Sequence, residues 1–256
     1  MTTADRWTRA VRQQLGLGRL LPLGGPGDGA WIAETAARAV LRRAANEVPG
    51  VRLGSVRITL ADPEDVHDPA VPAPPSALPP GPLRVAADFA ATAAEPLPTT
   101  ASRLRTAVST AAEQGIGLTV TEVDLRVTDL LDVTAGDAGT GEGAREAEDA
   151  GEATADTETS DAARASEEPD EAMAATAALG VAGVARLTGA LGGVGRAVHI
   201  EQGGGSGAAL PRRHVRVELA VRADHRALDV ARAVRARVGE ALRDHPTVAV
   251  LVTAVT

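Results

Sequence analysis

Glu47-Val48-Pro49-Gly50-Val51 closes a helix-periodic stretch and opens an alternating one, and Gly180-Val181-Ala182-Gly183-Val184 does the same later in the chain. Proline disfavours helical geometry at the residue before it, and glycine permits the turn that follows. Working outward from the first turn, residues 31–47 carry Ile32, Ala36, Val40 and Ala44 at helical spacing. Residues 51–60 alternate as a strand. Residues 83–90 form another, with Leu83, Val85, Ala87 and Phe89 on one face. A helix is predicted from an N-cap at Thr99 or Thr100 to Gln114, with Leu104, Val108 and Ala111 inward, and residues 118–131 make a third strand.

Around the second turn the order returns. Residues 171–180 read as a short helix and 196–202 as a strand. Val215, Val217, Leu219 and Val221 alternate with polar residues, Val230, Val234, Val238 and Leu242 line a helix, and residues 248–255 form the last strand. Helix, Val-X-Gly-Val, strand, loop, strand, helix, strand is written twice, and such repetition decides the fold. The expectation is an α+β fold of two similar small modules, each a short sheet with helices packed on one face. Residues 1–27 are an N-terminal amphipathic helix (3–21) and a flexible connector. Residues 28–133 are the first module, with a Pro-rich loop at 63–82. Residues 134–170 are a disordered acidic linker, and 171–256 the second module.

The linker follows from composition. Between Ala135 and Ala172 there are 13 acidic residues and two Arg, a local charge of about −11 in a chain of net charge −8. Large apolar residues are scarce there, so burial cannot offset ordering the backbone at roughly 1–2 kcal/mol per residue. The remainder is close to neutral. Aromatics are 1% of the chain, so the cores must be built from Val, Leu, Ile and Ala.

Taken together these segments resemble the alkaline-shock, or general-stress, envelope stress response proteins of Gram-positive bacteria, here as two divergent tandem modules of actinomycete type. Trp31-Ile32-Ala33-Glu34 leading to Val48-Pro49-Gly50-Val51 carries the first half of the resemblance. Val215-Arg216-Val217-Glu218-Leu219, then residues 229–235 and 248–255, carry the second. The second module departs from the pattern in having Ala182 where the proline should be. The resemblance implies a cytoplasmic protein, peripheral to the inner face of the plasma membrane, recruited by a small membrane-anchored relative under envelope stress. It brings no catalytic residues.

The residues themselves point away from chemistry. Without Cys there is no thiolate nucleophile or Cys-ligated metal, and without Lys no Walker-A lysine or Schiff base. His214, His225 and His245 fall in one window, but the last two flank a helix roughly 25 Å long and cannot share an ion. Residues 189–195 are Gly-rich without the context of a nucleotide loop, and no Gly-X-Ser-X-Gly elbow occurs. No basic patch interleaved with aromatics suggests nucleic acid, and no apolar run approaches the ~20 residues of a membrane span. The expected function is therefore a non-enzymatic adaptor or scaffold that binds protein partners, further copies of itself among the candidates, with no catalytic, cofactor or metal site. The alternative is a small-ligand sensor or enzyme with a pocket between the modules. Candidate partner-binding residues are the stripe Trp7, Val11 and Leu15, which can instead pack back on the first module, and Arg232 and Arg235 on the last helix.

Overall fold

The computed structural model describes residues 16–132, 161–190, 196–202 and 213–256, with side chains in the third helix described from residue 169 on. The chain runs β1 (Leu20–Pro22), β2 (Ala30–Ala33), α1 (Glu34–Asn46), β3 (Val51–Leu60), β4 (Leu83–Thr92) and α2 (Leu97–Thr110), which ends in a π-helical turn, Ala111–Ile116. There follow β5 (Val120–Leu131), α3 (Asp161–Leu179), β6 (Val184–Leu187), β7 (Val198–Gln202), β8 (Arg213–Val221), α4 (Ala227–Ala241) and β9 (Thr247–Val255). The fold is α+β. Residues 1–15 of the expected N-terminal helix, with Trp7, Val11 and Leu15, the part 134–160 of the acidic linker, and the Gly-rich residues 191–195 and 203–207 lie outside the described residues. Residues 161–170, expected as the end of a disordered linker, are instead the first half of α3.

Strands β3-β4-β5 form one sheet, with β3 antiparallel and β5 parallel to β4. In the second sheet β6 and β7 run antiparallel to β8, and β9 runs parallel to it. Order and direction are the same, and the details repeat. Gly50 and Gly183 sit at the same turn with φ of 71° and 91°, a conformation that favours glycine. Gly50 O accepts from Thr92 N at the end of β4, and Gly183 O from Arg222 N just past β8. The β4–β5 pair breaks register after Leu83/Val120, and both parallel pairs then break it at the same place, after Phe89/Val127 and after Leu219/Val252. The skipped residue is a threonine both times. Thr128 Oγ1 donates to Phe89 O at 3.3 Å, and Thr253 Oγ1 to Leu219 O at 3.2 Å. One unit has been copied, down to its bulge.

Local expectations fail where tertiary pairing overrides periodicity. Residues 20–22 are strand, not the end of a helix, and Leu23 to Gly29 is the turn of a hairpin with Leu23 buried. Trp31 to Ala33 is likewise strand: β2 lies parallel to β9, with Trp31 beside Leu251 and Ile32 beside Val252. Both residues are buried on both faces, which a strand inside a covered sheet requires and a surface helix turn does not. The second helix starts earlier than expected. Its N-cap is Pro96, with Pro98 in the first turn, and Thr100 is buried.

The β2–β9 pairing carries the start of the chain into the sheet of the second half, across the division at 28–133 and 171–256. Helix α1 then lies against both β3 and β9, and one continuous apolar core runs from Leu20 to Val252. The outer edge of β1 is closed by the Pro-rich loop: Leu20 N donates to Ser76 O and Leu78 N to Leu20 O.

Candidate functional site

The repeat places a carboxylate at one position of the middle strand in each half. Asp88 lies between Ala87 and Phe89 and faces the bulge in β3, while Glu218 lies between Val217 and Leu219, where the antiparallel neighbour of β8 changes from β6 to β7. Their surroundings differ sharply. Asp88 accepts from Ser55 Oγ at 2.8 Å and pairs with Arg126 at 3.3 Å, on an open surface. Glu218 is fully buried, accepts from Ala190 N at 2.7 Å, and has His199 Nε2 and Arg216 Nε each 3.8 Å from Oε1. Burial, followed by the Arg216 charge, holds the His199 imidazole below its ordinary range and so favours its neutral form. Nearby, His214 contacts Thr247 Oγ1 at 2.8 Å and is also pushed down, chiefly by burial. This cluster is enclosed and internally paired, as a structural polar network is.

The face around Asp88 is different in kind. The odd residues of β4 point into the core, while Arg84 and Asp88 point outward with Arg57 of β3 and Glu122, Asp124 and Arg126 of β5. Arg84 donates to Glu122 at 2.6 Å and reaches Asp124 at 3.2 Å. Between these side chains is a shallow depression of about 420 Å³, floored by Ala86 and Ala87. Nothing covers it among the described residues. Charged groups alternate in sign across an open sheet, an arrangement that orients a polar partner and activates no nucleophile.

Among the described residues the second sheet has no equivalent open face. All of Val248 to Thr253 is buried, and position 251, counterpart of Arg126, is leucine. The expected contacts at Arg232 and Arg235 are occupied within the chain. Arg232 grips Asp28 with Nε at 2.7 Å and Nη2 at 3.0 Å, while Arg235 donates to Gly27 O. That hydrogen bond from Arg232 holds the Asp28 carboxyl below its usual range against the opposing effect of burial. Helix α4 thus clasps the β1–β2 turn. A second clasp is at Glu34, 4% exposed: burial pushes its carboxyl up, but bonds and charges from Arg19 and Arg38 bring it down further. Arg19 also donates to Ile58 O at 2.6 Å, tying β3 to the same point.

Sequence reasoning did not single out Asp88 or Glu218. Laying the two halves over each other would have revealed them, since Ala87-Asp88-Phe89 falls on Val217-Glu218-Leu219. Among the described residues no three His, Asp or Glu converge as metal ligands, and no helix is long and apolar enough to cross a membrane.

The chain matches no family model and no curated protein. Solved structures similar to it include variants of MamM CTD. A cadmium form is 16% identical and a copper form 14% identical, each over 37% of this chain and 94% or 95% of that one, both with TM-score 0.25. A likeness this low assigns neither fold nor function. The geometry itself defines a class: an α+β protein with an internally duplicated sheet-and-helix unit, one copy enclosed and the other open on a charged face.

Proposed function

We propose that this chain is a non-enzymatic adaptor or scaffold that binds protein partners near the inner face of the cell envelope, as the resemblance to the envelope stress response family implies. The partners in this reading are a small membrane-anchored relative and further copies of the chain. One observation carries it. The two copies of the unit have divided their work, so that the second buries most of β8 and β9 on both sides while the first leaves Arg57, Arg84, Asp88, Asp124 and Arg126 on an open sheet face. Polar, flat, charge-alternating surfaces suit protein recognition better than small-ligand capture, which favours enclosed apolar pockets.

The experiment is capture of partners from an envelope fraction with the full chain and with Arg57→Glu, a substitution at an exposed position. A partner retained by the first and lost with the second supports the reading. Stabilisation by several degrees in a screen of metals and nucleotides, with no partner captured, supports instead a ligand-binding protein.

A further inference from the structure

In the second sheet the outer edge of β9 is filled by β2, whereas among the described residues no strand lies on the outer edge of β5. On β9 the filled positions are Val250, Leu251 and Val252, and their counterparts by register are Leu125, Arg126 and Val127. The repeat does not supply the missing strand. Ahead of the Val48 turn the chain is β2 and then α1, but at the matching distance ahead of the Val181 turn it lies within α3.

Hydrogen bonding shows which groups this edge presents. Leu83 N donates to Thr119 O and Phe89 O accepts from the Thr128 side-chain Oγ1, so the odd residues of β4 face β5. Past the register shift after Leu83/Val120, which skips Thr121, their partners in the parallel pair are the even residues of β5, which leaves the backbone groups of Val123, Leu125 and Val127 pointing outward. Two contacts agree. Arg105 Nε, from α2, caps Val123 O at 3.2 Å, and Val250 N, counterpart of Leu125 N, donates outward to Gly29 O at 3.0 Å.

We propose that a second copy of this chain occupies this edge, its β5 antiparallel to the first and Leu125 opposite Leu125. An incoming strand must be apolar on the helix-covered face and charged on the open one, and β5 alternates in that way. Centring on Leu125 sets Val123 against Val127 and Asp124 against Arg126, twice over by symmetry. On the open face Asp88, Arg126, then Asp124 and Arg84 of the second copy form a run of alternating sign. Centring on Asp124 or Arg126 would set like charges opposite, which is unfavourable. Arg126 and Asp124 side chains are 79% and 62% exposed, so both are available, and Val127 at 38% would be covered. About six backbone hydrogen bonds form, Arg105 gives up Val123 O, and two three-stranded sheets become one of six strands.

This extends the adaptor reading without depending on it, because copy number and partner capture are separate measurements. Sedimentation of the full chain should show a dimer of the 26.0 kDa protein. Arg126→Asp should weaken it by roughly tenfold or more with unchanged circular dichroism. The chain has no cysteine, so Leu125→Cys should oxidise to a cross-linked dimer, its Cα atoms being about 5.5 Å apart. Val123→Cys should not, as its two copies lie about 13 Å apart, while Val123→Cys with Val127→Cys should. A monomer at roughly 100 µM, or Val123→Cys cross-linking as readily as Leu125→Cys, overturns the proposal.

Discussion

Gly50 and Gly183 show how a single residue holds each copy of the unit together. Both have positive φ, and an added Cβ would lie 2.5 Å from Thr92 Oγ1 or 2.6 Å from Val230 Cγ2. Alanine at either should cost about 1–3 kcal/mol in urea denaturation, more at 183, where the obstructing atoms belong to the packed Val230 and the His225 ring. The buried ionisable groups set the pH dependence. His199 and His214 are held below 6.5 when folded, so the unfolded chain takes up protons first and stability falls as pH drops below about 6.5. Glu34 is held below 4.5, so its contribution is complete above that value and lost as pH falls through the lower folded value. Denaturation across pH should therefore show two acid steps. Glu34→Gln should reduce the lower one, to which Asp28 also contributes, and His199→Gln with His214→Gln should flatten the upper one alone.

Among elements, the bulge in each parallel strand pair is the most informative. Thr253 is buried and bonds both Thr188 Oγ1, at 2.8 Å, and Leu219 O. Thr253→Val strands the Thr188 hydroxyl and should cost about 1–3 kcal/mol. Its counterpart Thr128 is exposed, and Thr128→Val should cost about 0.5 kcal/mol or less. Equal costs, measured by chemical denaturation, would show that the two bulges are not carrying different burdens. The duplicated unit was legible in the turn quartets and the alternating strands, because local period and turn chemistry are written in consecutive residues. The bulge was not, since a skipped residue shows only when two strands are laid side by side.

For the molecule as a whole, β2 is the link. Trp31 is 1% exposed within it and Nε1 donates to Leu78 O at 3.4 Å, so one side chain joins the Pro-rich loop, the start of α1 and β9. Trp31→Ala should cost about 3–5 kcal/mol. Because the two halves share this strand and one core, calorimetry should show a single transition moved to lower temperature. Two separated transitions would mean that the halves melt independently. The open face of the first sheet was half visible beforehand, in the alternation of Asp124 and Arg126 with Val123, Leu125 and Val127. Its partners Arg57, Arg84 and Asp88 come from strands tens of residues away, and only the sheet brings them into one plane.

By itself the sequence determined that this is an α+β chain carrying a doubled unit with aliphatic cores, because periodicity, turn residues and the absence of Cys and Lys are local or compositional facts. Tertiary structure decided that Trp31 to Ala33 is strand and not helix, that Arg232 and Arg235 hold the chain's own turn, and that one carboxylate of the repeat is enclosed while the other lies open. Those outcomes depend on which segments meet across long stretches of chain, and burial on both faces outweighs the helical spacing that the same residues display when read in order.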